Sequence, residues 1–195
     1  MRWRCTRPTS PKKEISAVSR RLQANKATAN VAVVNAGIGG NRILGDGDGG
    51  LARLYHDAIS QPGVKWIMLL EGINDITAGA RRADSPIVAD DLIAAYGQVI
   101  ETAHLYGIKV IGCTITPDGG SSAFSDYGET VRQAANRWIL TSGAFDAVMD
   151  FDALTRDAAD PKRFKQEMDS PDLLHPSNAG YKLMGDAVPL SLFAR

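Results

Sequence analysis

The sequence predicts one α/β domain in which a mostly parallel sheet is covered by helices on both faces. Short apolar runs, typical of strands buried on both faces, alternate with longer segments of helical periodicity. The connections between them are short. The chain has 195 residues, enough for one domain with a sizeable core. No internal repeat or linker interrupts the sequence, so we expect residues 1–195 to form a single domain.

The individual elements follow from these patterns. Residues 1–11 contain two prolines and no helical period, and we expect them to be irregular. The apolar runs predict four strands, at residues 31–34, 66–70, 108–115 and 147–151. Helical spacing of apolar residues predicts five helices, at residues 12–26, 51–59, 87–106, 131–139 and 177–192.

Composition limits the classes of function. Lys plus Arg and Asp plus Glu both number 22, so net charge gives no indication of a nucleic-acid partner. No apolar run approaches the ~20 residues of a membrane span. The basic N-terminus lacks the apolar core of a signal peptide, which makes a cytoplasmic location the default expectation. The three histidines match no metal-binding spacing and no phosphate-binding loop is present, so we expect no metal and no other cofactor.

Near the C-terminus, Asp172 and His175 lie three residues apart, and Pro176 prevents a helix from running through His175. Residues 177–181 have the pattern of a helix cap and first turn. An Asp that orients a His is what a hydrolase needs for its general base. The alternative interpretation is a polar turn that only caps a helix, because Asp-x-x-His is a loose pattern.

Two further stretches follow predicted strands. Gly40 lies beyond the run at residues 31–34, and Asn74 lies beyond the run at residues 66–70. Ligands of such sheets bind at the carboxyl ends of the strands. Acyl transfer needs donors for a developing oxyanion, and the Asn74 amide and the Gly40 backbone N–H are suitable donors. Taken singly, Asn74 fits an Asx turn and Gly40 a tight loop; taken together with the Asp-His motif, they favour a hydrolase.

The chain resembles the SGNH (GDSL) hydrolases, a family of esterases and lipases, over about residues 20–190. The segments that carry the resemblance are 35–41 (Asn-Ala-Gly-Ile-Gly-Gly-Asn), 71–75 (Glu-Gly-Ile-Asn-Asp) and 172–176 (Asp-Leu-Leu-His-Pro). The resemblance implies a flavodoxin-like three-layer α/β/α sandwich without a cofactor. It also implies that Gly40 and Asn74 form the oxyanion hole, that His175 is the base, and that Asp172 orients it.

The continuation at residues 41–44 resembles the subgroup near acetylxylan esterases and small lysophospholipase-like esterases. This resemblance implies a small-molecule substrate, an ester of a short acyl group such as acetyl, carried by a carbohydrate or a lipid. Neither a nucleic acid nor a membrane-spanning segment is expected to take part.

The motif that carries the family's nucleophile, an apolar strand ending in Gly-Asp-Ser, is absent from this sequence. Two interpretations are open. Either the first strand and its serine are lost, or residues 2–6 replace the strand and Ser10 replaces the nucleophile. The second interpretation would place Arg2 and Arg4 inside a sheet, where an unpaired buried charge costs several kcal/mol or more.

The missing motif leaves three functions open. The chain is a serine ester hydrolase, or it binds an acyl or sugar ligand without turning it over, or His175 and Asp172 activate water directly. It also has a structural consequence. If the first strand is lost, the edges of residues 31–35 and 66–70 need a new partner. They could pair with each other, with the N-terminal segment or with a second chain, and the last case predicts homo-oligomers through these edges.

Overall fold

A parallel three-stranded sheet lies at the centre of the computed structural model, which describes residues 12–45, 47–79 and 86–194. The strands are β1 (Trp66–Leu69), β2 (Lys109–Cys113) and β3 (Ala147–Met149). Their order is β1-β2-β3; Ile67 lies opposite Val110, and Gly112 lies opposite Val148. Three of the four predicted strands are therefore confirmed, each shorter than its apolar run.

Helices fill most of the remaining described chain. They are α1 (Lys12–Ala24), α2 (Gly50–Leu54), α3 (Ile73–Gly79), α4 (Ala89–Leu105), α5 (Asp126–Thr141), α6 (Phe151–Thr155) and α7 (Asn178–Ala187). A π-helical turn, Tyr55–Ile59, extends α2. All five predicted helices are present, whereas α3 and α6 were not predicted. In the ranges that the structure describes, no helix combines the length and the apolar character needed to cross a membrane.

Short polar side chains fix the starts of three helices. The Ser125 hydroxyl accepts the N–H of Gly128 at 3.0 Å at the start of α5. The Ser177 hydroxyl accepts the N–H of Gly180 at 3.2 Å at the start of α7. Asp150 caps α6 in the same way. Each cap satisfies one of the N–H groups that a helix cannot satisfy internally, so these starts are encoded locally.

Two apolar clusters cover the two faces of the sheet. The side chain of Val110 belongs to the cluster formed mainly by α4 and α5, which includes Leu92 and Ala135. The next residue of β2, Ile111, belongs to the cluster on the other face, where α1 and α7 contribute Leu22 and Met184. The alternation along β2 is that of a strand buried on both faces. The expected helix–sheet–helix layering is confirmed.

The predicted strand at residues 31–34 is wrong. Val31 and Val33 pack against the α1/α7 cluster, whereas Val34 is 75% exposed. The segment pairs with no strand among the described residues. The apolar run correctly predicts burial of alternate side chains. A strand also needs a neighbouring backbone, and the part of the chain that the structure describes supplies none here.

A buried carboxyl group follows β1. The Tyr96 hydroxyl donates to the backbone carbonyl of Glu71 at 2.7 Å. Gly72 follows with φ +124°, and a Cβ there would lie 2.7 Å from the Tyr96 hydroxyl oxygen, so this turn requires glycine. Burial, and next the charge of Asp75, raises the pKa of Glu71 to about 7, although Arg53 opposes the shift.

The raised pKa of Glu71 makes a prediction about stability. Its pKa rises on folding, from 4.5 to about 7, so folding takes up a proton in this range. Stability therefore falls as pH rises from about 4.5 through about 7, and Glu71→Gln removes the loss. We expect Glu71→Gln to raise the free energy of unfolding by about 3 kcal/mol at about pH 8 and by little at about pH 4.5.

Urea unfolding at the two pH values measures this difference. The matched control is Glu101→Gln on the exposed side of α4. Equal effects of the two substitutions at about pH 8, or a Glu71→Gln effect that does not change with pH, would contradict the raised pKa of Glu71.

Strand β1 has a strand neighbour on one side only among the described residues. We propose that two copies of the chain associate through this edge and residues 31–35. A lysine at an exposed edge opposes strand pairing, so Val34→Lys should shift the sedimentation profile towards monomer. Leu105→Lys is the control, because Leu105 is 85% exposed on α4. A monodisperse wild-type monomer would refute the association.

Candidate active site

The candidate residues lie on loops and at a helix start at the carboxyl edge of the sheet. The chain after β1 leads into α3, whose first turn carries Asn74, and the loop after β2 leads into α5. The loop that carries Asp172 and His175 lies against the second of these. A Cβ placed on Gly120 would be 3.2 Å from Leu173 Cδ1, which shows how closely the two loops approach each other.

Asp172 and His175 form a hydrogen-bonded pair. Nδ1 of His175 lies 2.7 Å from Oδ2 of Asp172. The other carboxylate oxygen, Oδ1, accepts the backbone N–H groups of Leu174 at 3.1 Å and His175 at 3.0 Å, and the Ser170 hydroxyl at 2.6 Å. The side chains are half exposed, 51% for His175 and 54% for Asp172. The pair therefore faces solvent rather than the core.

The electrostatics of the pair follow from these contacts. Partial burial would raise the pKa of Asp172, but the hydrogen bonds from Ser170, His175 and Leu174 outweigh it and hold the pKa well below its usual range. The carboxyl group therefore stays ionised at neutral pH. An ionised Asp accepts, so the imidazole donates its Nδ1 proton and Nε2 is left as a proton acceptor.

The loop around the pair is closed by its own backbone. Asp169 and Pro176 form an antiparallel bridge at its base, and the N–H of Ser177 donates to the carbonyl of Met168 at 2.7 Å. Leu173 has φ +57°, the one positive value at a non-glycine residue in the described ranges. This left-handed turn sits between Asp172 and the two N–H groups that its carboxylate accepts, and is costly for a leucine.

Gly40 and Asn74 are brought together at the end of β1. Nδ2 of Asn74 donates to the backbone carbonyl of Asn41 at 2.8 Å. Gly40 has φ +76°, is exposed, and would place a Cβ within 4 Å of no other group. Open space beside a glycine leaves room for a ligand to approach its backbone. One proton of the Asn74 amide is committed to Asn41, and the other makes no hydrogen bond within the described residues.

Asp75 holds the segment that follows Gly40. Its carboxylate oxygens accept the N–H groups of Ile43 and Leu44, each at 2.9 Å, and the residue is 3% exposed. Burial raises its pKa, although these two hydrogen bonds oppose the shift. Sequence reasoning placed Asp75 in a motif but gave it no role, because its hydrogen-bond partners are more than 30 residues away in the sequence.

The predicted site residues thus form two groups, Gly40 with Asn74 and Asp172 with His175. Each group lies by the carboxyl end of one of two neighbouring strands. Ser10, the candidate nucleophile, lies outside the described residues. Among the side chains that the structure describes, in residues 17–45, 47–79 and 86–194, no hydroxyl group is hydrogen-bonded to Nε2 of His175.

Solved structures of similar fold include three esterases or lipolytic proteins. A lipolytic protein of the G-D-S-L family from Desulfitobacterium hafniense DCB-2 superimposes with a TM-score of 0.67 at 17% identity, covering 89% of this chain and 85% of that chain. An acetylxylan esterase from Geobacillus stearothermophilus gives 0.68 at 20% identity, covering 90% and 78%. Another acetyl xylan esterase gives 0.66 at 20% identity, covering 89% and 87%.

These identities are too low to show more than a shared α/β/α fold. No curated protein sequence matches the chain. The model of the GDSL-like lipase/acylhydrolase family matches residues 5–183. Because that match spans most of the sequence, the chain belongs to the GDSL-like lipase/acylhydrolase family.

Proposed function

We propose that the chain hydrolyses carboxylic esters of short acyl groups, with His175 as general base. The observation that carries this proposal is the contact of 2.7 Å between Nδ1 of His175 and an ionised Asp172. It fixes the tautomer in which Nε2 accepts a proton. The half-exposed imidazole is also open to a substrate. Family membership supports ester hydrolysis as the reaction.

Asp172 is assigned the role of orienting the base. When His175 takes up a proton, the nearby carboxylate stabilises the imidazolium, and it remains ionised because its pKa is lowered. Asn at position 172 would still fill the space but would favour the opposite tautomer. In this proposal the Asp172 carboxylate does not itself accept the proton.

Gly40 and Asn74 are assigned to the oxyanion hole. A tetrahedral intermediate carries negative charge on the former carbonyl oxygen, and preorganised N–H donors stabilise it. A Cβ built on Gly40 would meet no group within 4 Å, so a ligand has room to approach its backbone, and the Asn74 amide keeps one proton after binding Asn41. Asp75 supports this role indirectly, because it holds residues 43 and 44 and so limits the movement of Gly40.

The acyl group is proposed to be short, with acetyl esters of carbohydrates as the first class to test. Two solved structures of similar fold are acetylxylan esterases. A hydrolase of this type passes through an acyl-enzyme, which needs a nucleophilic hydroxyl that gives its proton to His175. Ser10 is the proposed nucleophile.

A second candidate function is ligand binding without turnover. The observation that favours it is that, among the described side chains, no hydroxyl group is hydrogen-bonded to Nε2 of His175. In that case the oxyanion donors would bind an acyl or sugar oxygen, but no acyl-enzyme would form. A reactive serine is what distinguishes the two functions.

Labelling with a fluorophosphonate probe tests for this serine. We expect covalent labelling at one serine, mapped by peptide mass spectrometry, and loss of labelling in Ser10→Ala and in His175→Ala. His104→Ala is the matched control, because His104 also contacts a carboxylate, Asp146 at 2.8 Å, and is 46% exposed. Labelling at another serine would reassign the nucleophile. Absence of both labelling and hydrolysis of 4-nitrophenyl acetate in the wild type would support ligand binding only, whereas slow hydrolysis without labelling would support direct activation of water by His175 and Asp172.

Removal of one oxyanion donor is the second kinetic test. We expect Asn74→Ala to lower kcat for 4-nitrophenyl acetate by ~10²–10³, with a small change in KM, because the donor acts mainly in the transition state. Asn30→Ala, at an exposed turn, is the control. Unchanged kcat in Asn74→Ala would remove Asn74 from the oxyanion hole.

A further inference from the structure

Both oxygens of the Asp172 carboxylate accept hydrogen bonds. Of the three groups that donate to Oδ1, only one belongs to a side chain. Two of the three are the backbone N–H groups of Leu174 and His175, which only a substitution by proline would remove. The third is the hydroxyl of Ser170, and its 2.6 Å contact is the shortest of the three. Ser170 is not part of the sequence motif that contains Asp172 and His175.

We propose that Ser170 is a positioning residue: its hydroxyl holds Oδ1 of Asp172 so that Oδ2 stays directed at the imidazole of His175. This inference rests on the proposed function only for its effect on catalysis. The contact itself belongs to the fold. Ser170 acts through Asp172 and is not assigned any contact with substrate.

A half-exposed carboxylate needs such a restraint. Rotation about the last side-chain torsion of Asp is broad and nearly two-fold, so packing must select one orientation. Asp172 is 54% exposed, and water therefore competes for both oxygens. A short hydrogen bond from a hydroxyl to a charged oxygen is stronger than a neutral one and opposes this rotation.

The backbone of Ser170 is held independently of its hydroxyl. Its N–H donates to Oδ1 of Asp169 at 2.9 Å, and its carbonyl accepts the N–H of Leu173 at 3.0 Å. The bridge between Asp169 and Pro176 closes the loop next to it. Loss of the hydroxyl should therefore change the carboxylate and leave the loop folded.

Few other charged groups affect the pKa of Asp172. Arg163, which lies across the loop near Gly120, is paired with Asp160 at 3.3 Å. The groups that lower the pKa of Asp172 against the effect of burial are Ser170, His175 and Leu174. Ser170→Ala should accordingly raise the pKa of Asp172, while substitutions elsewhere on the surface should not.

Three variants test the proposal: Ser170→Ala, Ser170→Thr and Ser142→Ala. Threonine keeps the hydroxyl and suits the extended backbone that a following proline favours. Ser142 is an exposed serine whose hydroxyl accepts the N–H of Ala144 at 3.2 Å, and it lies at the end of α5. NMR follows the carboxyl ¹³C titration of Asp172 and the Nδ1–H proton resonance of His175. Kinetics with 4-nitrophenyl acetate follow kcat and KM.

We expect Ser170→Ala to raise the titration midpoint of Asp172, to broaden the Nδ1–H resonance of His175, and to lower kcat about tenfold at unchanged KM. A tenfold change corresponds to about 1.4 kcal/mol, near the lower end for a hydrogen bond to a charged group. Ser170→Thr should keep the Asp172 titration midpoint, the His175 resonance and kcat close to their wild-type values, and Ser142→Ala should alter none of them.

The two NMR measurements need no turnover, so they test Ser170 even if the ester-hydrolase proposal fails. An Asp172 titration and a His175 resonance that match the wild type in Ser170→Ala would overturn the inference. So would a Ser170→Thr variant that behaves like Ser170→Ala. If the NMR changes occur but kcat does not fall, the proposed effect of Ser170 on catalysis is overturned.

Discussion

The arrangement at the carboxyl edge depends on the buried carboxylate of Asp75. The chain before Gly40 belongs to no ladder among the described residues, so strand pairing does not fix where Gly40 lies. Asp75 instead accepts the N–H groups of Ile43 and Leu44, and Asn74 donates to Asn41. Both side chains belong to the first turn of α3. The start of α3, directly after β1, therefore determines the position of Gly40 through hydrogen bonds between its side chains and the backbone of residues 41–44.

The neighbouring strand is fixed by a different means. Arg132 of α5 is fully buried and donates to the carbonyl of Ile115, just beyond β2, while it pairs with Glu129 and Asp152. Asn136 binds both backbone groups of Ile115. A buried cation is tolerated only when its donors are satisfied, so this cluster admits one placement of α5 against β2. The loop that follows β2 supports Leu173, and through it the Asp172–His175 pair.

The sequence was sufficient for most of the sheet and helices, and for the Asp172–His175 pair, because these depend on local periodicity and spacing. It failed at residues 31–34, since an apolar run predicts burial but cannot supply a partner strand. It missed α3, because Gly72 and Asn74 are typical of a loop. The supporting roles of Asp75 and Ser170 could not be predicted, because each depends on the orientation of a carboxylate oxygen in the folded chain rather than on residue type.

A histidine next to a carboxylate does not by itself make a candidate base, as another such pair in the chain illustrates. His104 contacts Asp146 through Nε2, and the same carboxylate oxygen accepts the N–H of Val110. That pair lies at the amino ends of β2 and β3, where it joins the end of α4 to the sheet. Asp172 instead divides its contacts, so that one oxygen is left for the imidazole alone. The distance between histidine and carboxylate does not separate the candidate catalytic pair from the structural one. The two pairs differ in their position relative to the sheet and in how each carboxylate divides its hydrogen bonds between its two oxygens.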